Sequence, residues 1–477
     1  MKKIITLLVI VVSLNSNLLQ AQKIACGNAH SLVVCKDSTV WAWGSNEYGQ
    51  LGNGTLDSSA VPVQVQSLKG VVAVFAGGYG SFALKANGEL WVWGYNSGFN
   101  LFTGDSSNVP TVINTPRLVD ITNVKNIFNL GTLGGMLSVA FTYVITNDSA
   151  AWAAGYTNKS LFGTNDDGFF SKPKKDTLFS DYVSIGGGSD SKLALRGDGT
   201  VWAWGDNTEG SLGLGAQAGS SNFARKIPNF DNVVYLSSVG YYASSIALKS
   251  DGTLWAWGSN MGGQLGDSSQ NPTFEPKQIF GVSNPFKALI SNRATSYAID
   301  KDSAIWAWGS NFYGQLGLGI TDARKTYPHK INHSKKFVDI VAHGPHTLAL
   351  ASDGSLWAWG INSSGQLGIG TLTNANTPQL VAGLCEIAVS VPPLHASPNH
   401  YRIYPNPSSD IVQVEFLEQS PSKVQILDLH GKVLLEENIQ PNQARIQLST
   451  HSLASGIYFI RTISPIGNTV HKLEVRS

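Results

Sequence analysis

A tryptophan that recurs about every 50 residues constrains the fold of this chain more than any other feature. The recurring residue lies at spacings of 50, 61, 50, 53, 51 and 51 positions, at Trp41, Trp91, Trp152, Trp202, Trp255, Trp306 and Trp357. A second tryptophan follows two positions later in six of the seven copies, and Ala154 replaces it in the third. A period of this length predicts seven copies of one structural unit, each too small to bury its apolar face alone.

Each tryptophan pair is predicted to lie on a short strand. Residues two apart on a strand share a face, so each pair directs two indoles into one packing layer. A two-residue turn precedes each pair, written Asp-Gly or Asn-Gly in four copies and Asp-Ser in three, as at Asp37-Ser38. Such turns favour hairpins. One isolated aspartate per turn is more typical of a hairpin than of a calcium site.

A glycine-rich segment follows each strand that carries the tryptophans. It reads Gly-Gln-Leu-Gly at Gly49–Gly52, Gly314–Gly317 and Gly365–Gly368. No strand-to-helix pattern accompanies it, so we interpret it as a structural loop and not as a phosphate site. A short apolar strand with an early proline, such as Val61–Val65, closes the unit and suits a sheet edge. Four short strands repeated seven times predict an all-β chain whose residues 22–391 form a seven-bladed β-propeller.

The last repeat must meet the first for such a ring to close. We expect Pro378 to Val391 to add strand material beside the N-terminal strands, which begin at Ile24. The three cysteines, Cys26, Cys35 and Cys385, permit one disulfide with one thiol left over. Because Cys26 and Cys385 lie at the two ends of the ring, a disulfide that joins these ends is one interpretation. Unpaired buried cysteines are the other.

These motifs together resemble the repeat of the regulator of chromosome condensation family. The first and seventh copies match best, through His30-Ser31-Leu32 and His346-Thr347-Leu348. The third copy departs most, because it lacks the second tryptophan and follows an insertion of about ten residues. The resemblance implies the propeller scaffold. The founding member is a nuclear nucleotide-exchange factor, and we do not transfer that activity to a chain with export signals that matches only the scaffold.

The first 21 residues have the pattern of a secretory signal peptide. Lys2 and Lys3 precede an apolar run, Ile4 to Leu14, that is too short to span a bilayer, and Ala21 suits cleavage. An N-terminal membrane anchor is the alternative. No long apolar stretch follows, so we expect no transmembrane segment in the mature chain.

The composition changes after Val391. Residues 392–401 read as a linker, and residues 402–477 alternate like the strands of a small immunoglobulin-like β-sandwich. This block is similar to the C-terminal sorting domain of the type IX secretion system, through the Tyr404 to Pro407 opening, the Asp428 to Lys432 turn and the terminal His471 to Val475. The resemblance implies a contact between residues 402–477 and the type IX machinery. It also implies secretion or display on the outer surface of a Gram-negative bacterium. A plain adhesive sandwich is the alternative.

The charge balance and the scattered polar residues limit the classes of function that we expect for this chain. With 33 basic and 32 acidic residues there is no basic excess, so we expect no nucleic-acid partner. No repeated acid pair, Ser-His-Asp arrangement or metal-ligand cluster is legible. We therefore predict no catalytic residue, no metal and no cofactor.

Aromatic residues at variable loop positions provide the candidate binding face. They are Tyr48, Tyr79, Phe99, Tyr241, Tyr242, Phe312 and Tyr313. Exposed on one face, they would bind a protein or stack on a glycan at the cell surface. Local packing between neighbouring loops is the other interpretation of these residues. The alternative functions are a structural surface-coat protein and an enzyme with a site in the central depression.

Overall fold

The computed structural model of the chain describes most residues from 22 onward. The described ranges are 22–96, 101–103, 111–129, 141–157, 162–163, 168–188, 190–239, 244–282, 285–291, 294–320, 322–389, 401–404, 408–416, 423–428, 433–440, 443–464 and 467–475. The predicted signal peptide lies outside them. The chain divides into two compact units near residue 392.

The first unit is a ring of seven four-stranded antiparallel meanders, which confirms the predicted seven-bladed propeller. The strands, in groups of four that each form one blade, are β1 (Ile24–Cys26), β2 (His30–Val34), β3 (Val40–Gly44) and β4 (Ser59–Gln64); β5 (Val71–Gly77), β6 (Gly80–Lys85), β7 (Leu90–Asn96) and β8 (Thr111–Leu118); β9 (Val124–Asn129), β10 (Phe141–Thr146), β11 (Ala151–Thr157) and β12 (Gly168–Lys175); β13 (Tyr182–Gly187), β14 (Ser191–Arg196), β15 (Val201–Gly205) and β16 (Ser221–Lys226); β17 (Val233–Val239), β18 (Ser244–Lys249), β19 (Leu254–Gly258) and β20 (Thr273–Ile279); β21 (Pro285–Ser291), β22 (Thr295–Asp300), β23 (Ile305–Ser310) and β24 (Arg324–Lys330); and β25 (Phe337–His343), β26 (His346–Ala351), β27 (Leu356–Gly360) and β28 (Ala375–Leu380). One turn of 3-10 helix, Thr208–Gly210, lies in blade 4.

The first strand of each blade lies innermost, and these strands pack against one another around the ring. Strand β1 packs against β5 of blade 2 on one side and against β25 of blade 7 on the other. A parallel pair between Gly187 and Val239 further joins blades 4 and 5. The ring therefore closes between blade 7 and blade 1, and we call this junction the closing seam.

The hairpin turns between the second and third strands have the left-handed backbone that their sequences predict. Gly88 and Gly199 have φ of +82° and +79°, and Ser38 takes the same conformation at +64°. The aspartate before Ser38 caps its own turn, because Asp37 Oδ1 accepts hydrogen bonds from the backbone N–H and the hydroxyl of Thr39 at 3.0 and 2.7 Å. This carboxylate is therefore occupied by the turn, as expected for a hairpin.

The two tryptophans of each pair differ in burial and in role. The second is fully buried in all six blades that have it, whereas the first is half-buried. Trp93 Nε1 donates to the backbone carbonyl of Gln50 in the preceding blade at 2.8 Å. Equivalent bonds to the preceding blade are formed by Trp43, Trp257, Trp308 and Trp359. The second tryptophan thus ties each blade to the glycine-rich loop before it.

The chain after blade 7 follows the path of an inter-blade linker. The end of β4 at Gln64 and the start of β5 at Val71 are seven positions apart, as are the end of β28 at Leu380 and Ile387. Val65 N, directly after β4, donates to Val40 O of β3 at 2.9 Å. Val381 N, directly after β28, donates in the same way to Leu356 O of β27 at 2.9 Å. Residues 381–389 contain no strand, so the prediction that Pro378 to Val391 adds strand material is wrong for these residues. The segment reaches blade 1 as a linker does.

A disulfide fastens this segment to blade 1. It joins Cys385 to Cys35, the residue after β2, across 350 positions of sequence. Cys26 remains a free, buried thiol whose Sγ lies 3.7 Å from the carbonyl oxygen of Val341 in blade 7. The two ends of the ring are therefore joined covalently. The partner of Cys385 is Cys35, because Cys26 lies on the innermost strand, out of reach of the linker path.

The C-terminal unit consists of two sheets. Its strands are β29 (Tyr401–Tyr404), β30 (Ile411–Phe416), β31 (Lys423–Leu427), β32 (Val433–Asn438), β33 (Arg445–Ser449), β34 (Gly456–Ser464) and β35 (Gly467–Val475). One sheet has the order β29-β30-β33 and the other β32-β31-β34-β35. Val412, Val414 and Phe416 alternate into a core shared with Val424 and Ile426 of the second sheet. This is the packing of a small sandwich.

Candidate binding face

The connections between strands one and two and between strands three and four lie on the same face of every blade. Consecutive strands of a meander reverse direction, so alternate connections share one end. We call this side of the ring the loop face. Its described parts include the turns 27–29 and 78–79 and the longer loops 45–58, 206–220, 259–272 and 361–374.

One asparagine holds the framework of each long loop. In blade 1, Asn46 Oδ1 accepts a hydrogen bond from Leu51 N at 2.9 Å. Its Nδ2 donates to the carbonyls of Thr55 and Asp57 at 3.0 and 3.1 Å. The equivalent asparagines of blades 5, 6 and 7 accept from a leucine in the same way and are Asn260, Asn311 and Asn362. These buried amides are satisfied by loop backbone, so they are not available to an outside ligand.

Two members of the candidate face, Tyr48 and Tyr79, pack against each other between blades 1 and 2. Their ring centroids are 4.8 Å apart, and Tyr48 lies 4.5 Å from Tyr95 at the end of β7. All three side chains are half-buried. Such aromatic contacts stabilise neighbouring elements. This cluster therefore joins two blades and leaves its rings only partly exposed to solvent.

Phe312 and Tyr313, in contrast, project from the loop of blade 6. The side chains are 67% and 43% exposed. Met261 takes the same position in blade 5 that Phe312 takes in blade 6, directly after the loop asparagine, and is 61% exposed. In the other blades that have this asparagine, the following residue is polar, as at Glu47 and Ser363. At the position after the loop asparagine, blades 5 and 6 are thus distinguished by a large exposed apolar side chain.

Arg324 connects these exposed positions. Its Nη1 donates to the carbonyl of Met261 at 3.0 Å and also contacts the Gln270 side-chain oxygen. Arg324 follows Ala323, whose carbonyl accepts from the backbone N–H of the asparagine before Phe312 at 2.8 Å. Met261, Phe312, Tyr313 and Arg324 therefore lie on neighbouring parts of blades 5 and 6, and we call them the blade 5–6 patch.

Two of these four residues, Phe312 and Tyr313, are among the candidates that the sequence predicts. An aromatic criterion does not select Met261, although aligning the repeats on their asparagines would have found it. Arg324 is 63 positions from Met261, and no local signal indicates their contact. The remaining candidates, Phe99, Tyr241 and Tyr242, lie outside the described residues.

Buried histidines form hydrogen-bond relays at both seams of blade 1. His30 Nε2 lies 2.9 Å from Ser81 Oγ, and that hydroxyl donates to the carbonyl of Gln50 at 2.8 Å. Because the serine proton points to the carbonyl, the imidazole must donate through Nε2–H, which leaves Nδ1 unprotonated. The same relay crosses the closing seam through His346, Ser31 and Gln366.

Burial keeps both imidazoles neutral. It is the main cause that lowers the pKa of His30 to about 3, with smaller contributions from His346 and His343. Burial and His343 likewise lower the pKa of His346 to about 3. Both side chains are fully buried, so the relays serve the fold and do not offer a base to an outside ligand. Among the described residues, no group of three or more histidine, cysteine or acidic side chains is placed to hold a metal ion.

Family models match both units of the chain. A model of the secretion system C-terminal sorting domain matches residues 402–476. One model of the regulator of chromosome condensation (RCC1) repeat matches residues 37–84, 198–244, 251–291, 302–350 and 353–391. A second model of that repeat matches residues 21–50, 71–98 and 182–211. The divergent third repeat falls between the matched ranges.

Curated relatives share the propeller at moderate identity. The ultraviolet-B receptor UVR8 of Arabidopsis thaliana is 27% identical over 368 residues, which cover 76% of this chain and 81% of the receptor. The human E3 ubiquitin-protein ligase HERC2 is 28% identical over 340 residues, which cover 68% of this chain but 7% of the ligase. The chain therefore corresponds to a small part of HERC2.

Solved structures of RCC1 proteins share the fold. Yeast RCC1 (Prp20), from its complex with Kap60, superimposes with a TM-score of 0.61 at 19% identity and covers 76% of this chain and 85% of its own. Prp20p from Saccharomyces cerevisiae gives a TM-score of 0.59 at 20% identity, with 76% and 87% covered. Among the residues that the structure describes, no helix is long and apolar enough to cross a membrane.

Proposed function

Because the chain belongs to the regulator of chromosome condensation (RCC1) repeat family and ends in a type IX C-terminal sorting domain, we propose that it is a secreted or cell-surface binding protein. Residues 1–21 and 402–477 serve its export from a Gram-negative cell, with 392–401 as a linker. Residues 22–391 bind a protein partner through the loop face. The blade 5–6 patch is the observation that carries this proposal.

The composition of the patch favours a protein over a glycan. Contiguous exposed apolar side chains on a soluble protein mark interaction surfaces. Phenylalanine, tyrosine, methionine and arginine are the residue types enriched in protein interfaces. Stacking on a sugar ring needs a flat aromatic face, and the thioether of Met261 has none. Arg324 is held by two hydrogen bonds, so little side-chain freedom is lost when a partner binds it.

The alternative functions receive less support from the same surface. A passive coat protein has no need for apolar side chains that project from two adjacent loops. An enzyme needs reactive groups near a ligand, and the loop asparagines and the relay histidines are engaged within the fold. The ligase activity in the name of HERC2 does not come into consideration, because this chain covers 7% of that protein.

Variant baits test the proposal. The exported chain is immobilised as wild type, as Phe312→Ser/Tyr313→Ser and as Phe223→Ser, and each is exposed to the native bacterium's surface proteins and to its purified polysaccharide. Phe223 is the matched control, because it is 60% exposed on the outer strand β16 of blade 4, outside the blade 5–6 patch. Substitutions at such exposed sites should change the free energy of unfolding by less than about 0.5 kcal/mol, so all three baits stay folded.

We expect one protein that the wild type and Phe223→Ser capture and that the double variant loses. Equal capture by both variants would contradict use of the patch. Capture of polysaccharide alone would establish the glycan alternative. Failure of all folded baits to capture anything would leave the surface-coat role and overturn a binding function.

A further inference from the structure

A peptide linker crosses six of the seven seams of the ring, and the closing seam has none. The hydrogen bonds of the closing seam are otherwise those of its neighbours. The carbonyl of Gln366 accepts from Trp43 and Ser31 there, as that of Gln50 accepts from two residues of blade 2. Gly370 N donates to Ala60 O of blade 1 at 2.9 Å. The equivalent glycine of blade 1, Gly54, donates to Asn114 O of blade 2 at the same distance. The closing seam therefore lacks only the peptide link.

The disulfide lies where that link would run. Cys385 occupies the fifth position after its outer strand, the position that Lys69 occupies in the linker between blades 1 and 2. The next residue, Glu386, accepts from Lys36 N of blade 1 at 2.7 Å, as the linker residue Gly70 accepts from Ala86 N of blade 2 at 3.3 Å. We propose that the Cys35–Cys385 disulfide is a redox latch that replaces the missing link, so that oxidation fastens blade 1 into the ring and reduction frees it on one side.

The latch works by thiol–disulfide exchange. On closing, the thiols of Cys35 and Cys385 lose two protons and two electrons, and the disulfide of a protein thiol oxidase takes up both protons and both electrons and becomes a dithiol. A dithiol reductant reverses the step. Cys385 is half-buried and Cys35 is buried, so the sulfur of Cys385 is the one that an incoming thiolate reaches. Cys26 stays outside this exchange, because it is buried on the innermost strand.

The latch connects ring closure to the compartment. Thiols stay reduced in the cytosol, and disulfides form in oxidising compartments. Blade 1 is therefore fastened only after the chain has left the cytosol. The closing seam joins segments 350 positions apart, and the entropic cost of joining the ends of a loop grows with its length. The timing rests on the proposed export, whereas the latch itself does not.

Amide hydrogen exchange of the full-length chain tests the latch. The oxidised protein is compared with the same protein after native reduction by dithiothreitol, and Cys26→Ser serves as a control that keeps both latch cysteines. We expect reduction to accelerate exchange of β2 in blade 1 about tenfold and to leave β18 in blade 5 unchanged. The variant Cys35→Ser/Cys385→Ser should exchange like the reduced protein under both conditions.

Three results would overturn the latch. The first is free thiols at Cys35 and Cys385 in the exported protein, read by alkylation and mass spectrometry. The second is exchange of β2 that reduction does not alter. The third is equal acceleration of β2 and β18, which would make the disulfide a general stabiliser. None of these depends on the blade 5–6 patch, so this proposal and the binding proposal fail separately.

Discussion

Trp43 Nε1 and the carbonyl oxygen of Gln366 are 3.0 Å apart across the closing seam, although 323 positions separate the two residues in sequence. Gly368, in the same glycine-rich loop as Gln366, lies against the same indole. One tryptophan thus contacts both the carbonyl and the last glycine of the preceding blade's loop. The buried tryptophan and the glycine-rich loop recur together in the sequence because each tryptophan packs on the loop of the preceding blade.

Replacing Trp43 by phenylalanine should lower the free energy of unfolding by about 2–3 kcal/mol. The change removes one donor to a buried carbonyl and leaves a cavity where the larger ring was. Trp41→Phe, in the same strand but half-buried, should cost less than about 1 kcal/mol. All 13 tryptophans lie in the ring, so their fluorescence in urea follows its unfolding. Equal losses from the two variants would count against a special role for the buried indole.

Gly368 and Gly370 form a matched pair of positions for alanine substitution. Both have left-handed backbone, with φ of +70° and +77°. A Cβ at Gly368 would lie 2.6 Å from Trp43 Nε1, whereas one at Gly370 would lie 3.9 Å from its nearest neighbour. Both variants should lose about 1 kcal/mol from the backbone conformation, and Gly368→Ala about 1–3 kcal/mol more from the clash. Thermal unfolding gives the difference, and the same loss for both variants would show that the indole moves aside.

The blade count could be predicted from the sequence because each recurring residue makes the same kind of contact in the blades that have it. The fully buried tryptophan and the loop asparagine recur in six of the seven repeats, and the positive-φ glycine after the tryptophan position recurs in all seven. The disulfide partner was harder to identify, because Cys26 and Cys35 lie in the same blade. What separates them is the match between residues 380–387 and residues 64–71, which places Cys385 on a linker path beside the turn after β2.

The exposure of the candidate site residues could not be predicted from the repeat pattern alone. Tyr48 and Tyr313 occupy the same position of the repeat, two residues after the loop asparagine. Tyr48 is half-buried because Tyr79 and Tyr95 of the next blade meet it. The corresponding residues beside Tyr313 are Pro345 and Ile361, so that ring has no aromatic partner there and is 43% exposed. Exposure therefore depends on the neighbouring blade and not on the repeat itself.

The relays on both sides of blade 1 predict a loss of stability in mild acid. Burial, aided by His343, holds the pKa of His30 and His346 at about 3 in the folded chain, against about 6.5 in the unfolded chain. Between these values the unfolded state binds more protons, so the free energy of unfolding rises with pH. The contribution is complete above about pH 6.5 and is lost as the pH falls toward 3, by about 1.4 kcal/mol per unit for each histidine.

The double variant His30→Gln/His346→Gln isolates this effect. A glutamine side chain can keep an N–H directed at the serine but does not titrate. From pH 7 to pH 5.5 the wild type should lose about 2–3 kcal/mol, and the double variant much less, because most carboxylates remain ionised in this range. His329→Gln, on the outer strand β24, removes a histidine outside the relays and is the matched control. Urea midpoints at three pH values measure the slopes. A double variant that weakens in parallel with the wild type would show that other groups carry the acid sensitivity.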